Sequence, residues 1–204
     1  MASVPDNVHV FRSRFNQISA VLTWLICAAA TAAIIVSGSP DKARYLPIIA
    51  LFAVLGWIAL WRPSVLVGDD EIVVVNVMST IRVPWAALIQ VDTRYALTLF
   101  TPRKRVTVTA APAPGRLTAA LGRRDTGGIQ QSVVVDGRVR PGDLPTTDSG
   151  AAAFLVRQRW EELSAAGRIE LGAADRTPVV TRWHWPSLAL CAVLLVGGAA
   201  LLSL

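Results

Sequence analysis

The chain has 204 residues, 53% of them hydrophobic, a mean hydropathy of +0.48 and a formal charge of +6. A soluble domain averages about 45–50% apolar residues; here the surplus gathers in three uncharged blocks, which excludes a wholly soluble chain and leaves one soluble domain plus membrane spans. The only two cysteines, Cys27 and Cys191, lie inside apolar blocks, so the polar part has neither a disulfide framework nor a thiolate metal site.

Residues 1–15 read as a polar cytoplasmic tail carrying Arg12 and Arg14. Ile18 to Val36 then run without a charge, and about 20 apolar residues cross a hydrocarbon core of roughly 30 Å. A cleaved signal peptide is the rival reading, which a second apolar block disfavours. That block, Tyr45 to Trp61, follows a short polar loop, so residues 16–61 are expected to form a transmembrane helical hairpin. Tyr45 at one end and Trp57 and Trp61 at the other resemble interfacial anchors. The third block, Pro186 to Leu204, has no polar face and is read as a third span rather than a buried core helix. Arg182, Trp183, His184 and Trp185 precede it as a basic and aromatic collar, with Trp183 and Trp185 as its anchors.

Lys and Arg near span ends set orientation. The tail and the loop between the first two spans tie, with Arg12 and Arg14 against Lys42 and Arg44, so Arg62 and Arg182 beside the large polar segment decide. The tail and main domain are placed in the cytoplasm, and the chain is read as a multi-pass protein of the plasma membrane. The positive balance is assigned to this flanking role, and nucleic acid is not an expected partner.

Residues 62–167 read as a domain of six or seven short strands followed by one helix. Val65–Val67 and Ile72–Val75 flank an acidic turn, Gly68-Asp69-Asp70-Glu71; Thr80–Val83 follows and Pro84 stops it, since proline cannot donate to a ladder. Trp85–Ile89 is expected to make a short helical turn, and Gln90 to Tyr95 alternate again. Leu97–Thr101 and Arg105–Thr109 show period-two alternation on both arms and form the clearest hairpin in the chain. A Gly- and Pro-rich insert spans roughly 110–148, and within it Val133–Val135, Asp136-Gly137 and Arg138-Val139 carry a second hairpin signal. Asp148 and Ser149 offer N-caps for a helix from Gly150 to about Ala166, with Gly167 as its stop. Residues 168–185 are read as a linker.

From Trp61 to about Pro114 the chain resembles the bacterial pleckstrin-homology-like (PH) domains of actinobacterial membrane proteins. The resemblance rests on Arg62-Pro63 before the first strand, on Gly68-Asp69-Asp70-Glu71-Ile72, and above all on Ile81-Arg82-Val83-Pro84-Trp85 followed by Leu88-Ile89-Gln90-Val91. It implies a bent antiparallel sheet capped by a C-terminal helix, with Pro84 and Trp85 as the step that opens a short turn. A third apolar block and a long insert depart from that pattern. PH domains that hold phosphoinositides use basic residues at the first strand turn; Asp69-Asp70-Glu71 would repel an anionic headgroup there.

Little in the chain points to catalysis. The polar segment has one histidine, His184, and neither a nucleophile elbow nor a phosphate loop. Adjacent carboxylates such as Asp69 and Asp70 do not converge on a cation by themselves and read as a solvated turn. Trp85 and Trp160 read as core residues where sheet and helix meet. Arg103, Lys104 and Arg105 sit on a hairpin tip, and Arg123 and Arg124 on the insert. They fit an anionic lipid, an acidic partner, or a charged turn that keeps a sheet edge soluble. The expectation is a non-catalytic binding, scaffolding or regulatory module that needs no cofactor or metal. Its partners are the bilayer and another membrane or membrane-proximal protein. An anionic-lipid sensor and a subunit of a membrane enzyme or transporter are the alternatives.

Overall fold

The computed structural model describes residues 8–112, 134–135, 138–139, 147–170 and 172–202. The chain divides into two compact units. One comprises Met1–Ser13, Ser64–Asn76 and Thr80–Arg182, the other Arg14–Pro63, Val77–Ser79 and Trp183–Leu204.

The second unit is helical. Helix α1 spans Arg14–Ser37; a 3₁₀ turn over Pro40–Tyr45 leads into α2, Leu46–Gly56, which runs on as one turn of π-helix over Trp57–Trp61. By length and composition, Arg14–Ser37 and Asp41–Trp61 are each long and apolar enough to cross a membrane, with mean hydropathies of 2.2 and 1.9. They approach closely because Gly56 faces α1: a Cβ there would lie 3.3 Å from Thr23 Cγ2. Trp24 Nε1 donates to the Ala53 carbonyl at 3.0 Å, and its ring lies 5.3 Å from that of Trp61. The third apolar block is a correction. It forms the 18-residue helix Trp185–Leu202, here called the terminal helix. At about 1.5 Å per residue it reaches about 27 Å, short of a core of about 30 Å. Two described helices, not three, therefore meet the length of a span.

The first unit holds the sheets. Strands β1 His9–Phe11, β2 Ser64–Val67, β3 Glu71–Val75, β4 Ser79–Pro84 and β10 Val180–Trp183 form a five-stranded sheet in the order β1-β2-β3-β4-β10. Strands β5 Gln90–Asp92, β6 Ala96–Phe100 and β7 Arg105–Pro112 form a three-stranded antiparallel sheet. Asn76 links the two sheets at the end of β3: its amide donates to the Thr107 carbonyl at 2.8 Å and its oxygen accepts from the Thr109 amide at 2.9 Å. The 97–109 hairpin is present as expected. The second hairpin signal is present as the pair β8 Val134–Val135 and β9 Arg138–Val139; the remainder of the insert lies outside the described residues. Two strands come from segments read as non-structural. His9–Phe11, in the supposed tail, pairs antiparallel with β2, and Val180–Trp183, in the supposed linker, extends the far edge. With three or four residues each, neither is long enough to show alternation.

Helix α3, Asp148–Ala165, packs its Ala152, Ala153, Val156 and Leu163 into a core shared with Val65, Val67, Ile72, Val74, Val83, Leu97, Leu99, Val106 and Val108. Its N-cap is Thr147, not Asp148 or Ser149: the Thr147 hydroxyl accepts from the Gly150 amide at 3.1 Å. Asp148 instead sits in the first turn and accepts from Ser13 Oγ at 2.5 Å, where a negative charge suits the helix dipole. The stop is Gly167, at φ +66°. The Gly167 amide bonds the Ser164 carbonyl at 3.0 Å and the Arg168 amide bonds the Leu163 carbonyl at 2.9 Å, the paired pattern that closes a helix on a left-handed residue.

Candidate functional site

The acidic turn is tied down from three directions. Trp85, 3% exposed, donates from Nε1 to the Gly68 carbonyl at 3.0 Å, and its amide reaches the Asp70 carbonyl at 3.4 Å. Pro84 ends β4 opposite Glu71 and places that indole. Arg159 on α3 bridges Asp69 and Glu162, and Arg168, positioned by the Gly167 turn, lies 3.6 Å from Asp69 and 3.7 Å from Asp70. Arg82 pairs with Glu71 at 2.9 Å. The turn keeps Asp70 85% exposed, as a solvated turn should, while through Asp69 it also ties the sheet to the cap helix. The electrostatics agree: the hydrogen bond from Arg159 holds the Asp69 carboxyl below its usual range and does the same to Glu162.

The basic hairpin tip is built differently. The Lys104 carbonyl accepts from the Thr101 amide and hydroxyl at 3.1 and 2.8 Å, which fixes the turn. Lys104, half-buried, donates from Nζ to the Thr181 hydroxyl, and Arg103 donates to the Asp175 carbonyl at 3.5 Å. The Arg105 guanidinium lies 5.1 Å from the centre of the Phe100 ring. Hydroxyl, carbonyl and ring leave the cationic charge in place; none of the three forms a salt bridge with a described residue. The structure therefore brings Arg103 and Lys104 against Asp175 and Thr181, contacts across more than seventy residues that no local pattern announces, while Arg105 stays on its own hairpin against Phe100. Arg123 and Arg124 lie outside the described residues.

A third feature was not anticipated. Strand β5 is the outer strand of its sheet, and beside it lies a cleft of about 200 Å³ lined by Leu88, Ile89, Gln90, Val91, Arg157, Trp160 and Glu161. Arg157 donates to the Val91 carbonyl at 3.4 Å across its floor. Ile89 is 61% exposed at its lip. Trp160, expected in the core, packs against it partly buried and also lines the cleft. The sequence signal was available: an isoleucine with no place in the alternation beside a three-residue strand.

The expected interface anchors all belong to the helical unit. Tyr45 is exposed with Arg44 5.3 Å from its ring centre, Trp57 is exposed beneath Arg62 at 5.5 Å, and Trp183 and Trp185 are exposed with rings 6.4 Å apart. Trp61 instead packs on Trp24. Arg62 also donates to Ser187 Oγ at 3.2 Å. The His184 amide bonds the Met78 carbonyl at 2.9 Å, and burial, with Arg62 nearby, lowers the affinity of its ring for a proton.

No curated protein and no solved structure matches the chain. Residues 62–143 match the family model described as a bacterial PH domain. The match begins at the Arg62-Pro63 step and takes in the acidic turn, the Pro84-Trp85 step and the basic hairpin, so this stretch of the chain is similar to a bacterial PH domain.

Proposed function

We propose that the chain is a multi-pass protein of the plasma membrane that presents its PH domain at the cytoplasmic face as a non-catalytic scaffold for another membrane or membrane-proximal protein. The membrane reading is supported by exposure: only 6% and 11% of the two long apolar windows are buried within the protein, whereas the core helix of a soluble protein buries most of its apolar stripe. The preference for arginine over lysine fits the actinobacterial setting.

The binding reading rests on the cleft beside β5. Arg157 already holds the Val91 carbonyl on this strand, so the groove is read as a pocket that takes a side chain of the partner rather than an edge for strand addition. The groove is wide enough for one apolar side chain, between Trp160 and Ile89, with Arg157 and Glu161 to fix direction. The acidic first turn, occupied by Arg159 and Arg168, supports a protein rather than a headgroup as the partner of this domain. The test is in-cell photo-crosslinking of the full chain from position Gln90, with Thr107 as a control site. The reading predicts one protein joined at 90, not at 107, and lost in Ile89→Asp. Equal labelling from both sites, or labelling indifferent to Ile89→Asp, contradicts it.

A further inference from the structure

The two charges that line the cleft beside β5 are held differently. Leu88, Ile89, Val91 and Trp160 supply its apolar lining. At about 200 Å³ the cleft is smaller than the roughly 300–1,000 Å³ of small-molecule sites, and it suits a single side chain. Arg157 is half-buried, its guanidinium directed to the Val91 carbonyl across the floor. A second cation inserted there would meet that charge and lose its own hydration. Glu161, four residues further along α3, also lines the cleft but is exposed. Its neighbour Glu162 takes both Arg159 and Gln158, whereas Glu161 forms no ion pair or hydrogen bond with a described residue. An apolar pocket thus has an uncompensated carboxylate at its solvent side.

From this arrangement we infer that the partner is a protein segment that seats one uncharged apolar side chain in the cleft and pairs a lysine or arginine, within two positions of that anchor, with Glu161. The spacing follows from reach, because an extended chain advances about 3.3 Å per residue. The buried anchor carries most of the affinity, as such residues do at interfaces. The exposed ion pair selects among partners and fixes the direction of the segment. An acidic residue in the flanking place would face Glu161 and is disfavoured. The inference deepens the cleft reading proposed above and rests on it.

Selection of a displayed library of random short peptides on the purified full chain, held in neutral phosphatidylcholine nanodiscs, tests it. Peptides retained by the parent chain and rejected by Ile89→Asp are the cleft binders; an unchanged melting temperature shows that this variant is folded. Their enriched pattern is expected to be an apolar residue with Lys or Arg within two positions. In a synthetic peptide of that pattern, replacing the cation by Glu is expected to weaken binding about tenfold, and Glu161→Lys to reverse the preference by a similar factor. Glu161→Lys removes no contact with a described residue, so its fold is that of the parent. The preference should shrink in high salt, as an exposed pair requires. Cleft binders without a basic flank, or with an acidic one, overturn this inference and leave the cleft standing as a docking site. A basic preference that Glu161→Lys does not move overturns it as well. If no peptide distinguishes the parent from Ile89→Asp, the cleft reading itself fails and this inference falls with it.

Discussion

Two charged turns of one domain are treated in opposite ways. At Asp69-Asp70-Glu71 every acid faces an arginine, from α3, from the residue after its stop, or from β4. At Arg103-Lys104-Arg105 the partners are a carbonyl, a hydroxyl and an aromatic ring, none of which cancels charge. The first arrangement pairs its charges with each other and, through Arg159 and Asp69, joins sheet to helix. The second fixes the geometry of the cations and leaves their field to act on something outside. A charge-rich turn is thus informative only once its partners are known, and both turns look alike as sequence.

The largest effect should come from removing the step that seats the acidic turn. Trp85→Ala deletes a buried indole and should cost about 3–5 kcal/mol, seen as loss of cooperative unfolding of the domain. Trp85→Phe keeps most of the volume but leaves the Gly68 carbonyl unpaired, at about 1–3 kcal/mol. Next comes the acid limb of stability. Because Asp69 and Glu162 have lowered carboxyl pKa values in the fold, their contribution is present above the ordinary carboxylate range and is lost as pH falls through the folded values. In Arg159→Met, melting measured between pH 6 and pH 3 should fall less steeply, from a lower starting point. Neutralising the basic tip should do least to the fold: Arg103→Ala and Arg105→Ala should each shift stability by no more than about 0.5 kcal/mol.

In the helical unit, His184 gives a smaller, separate test. Its folded pKa is lowered from 6.5, so the neutral ring is favoured in the fold. The stability it contributes is present above that value and is lost as pH falls through it toward the folded pKa. Amide-exchange protection around Val77–Ser79, corrected for the intrinsic pH dependence of exchange, should fall from pH 7.5 to 5.5, and His184→Gln should flatten that fall.

Much of the domain was legible because its signals are local. The 97–109 hairpin has alternation on both arms, and Gly167 marks a helix stop by its tolerance of positive φ. What was missed is long-range or short. His9 pairs with Val67, Arg159 meets Asp69 and Lys104 meets Thr181, pairings that only the closed fold creates. β10 is four residues with no alternation, and the cap fell on Thr147 one place ahead of two equally suitable residues. The third apolar run lacked charge, which masked its shortness as a helix. The tip residues were picked out by charge alone, and nothing local marked the contact of Arg103 and Lys104 with Asp175 and Thr181.

The most direct test is a matched pair of charge-removal variants in the full chain, Asp69→Asn/Asp70→Asn against Arg103→Ala/Arg105→Ala, with thermal unfolding of the PH domain followed for each. The account predicts a clear drop in melting temperature for the acidic pair and a temperature close to that of the parent for the basic pair. Equal drops, or a larger drop for the basic pair, would contradict the division between a structural turn and an outward-acting one.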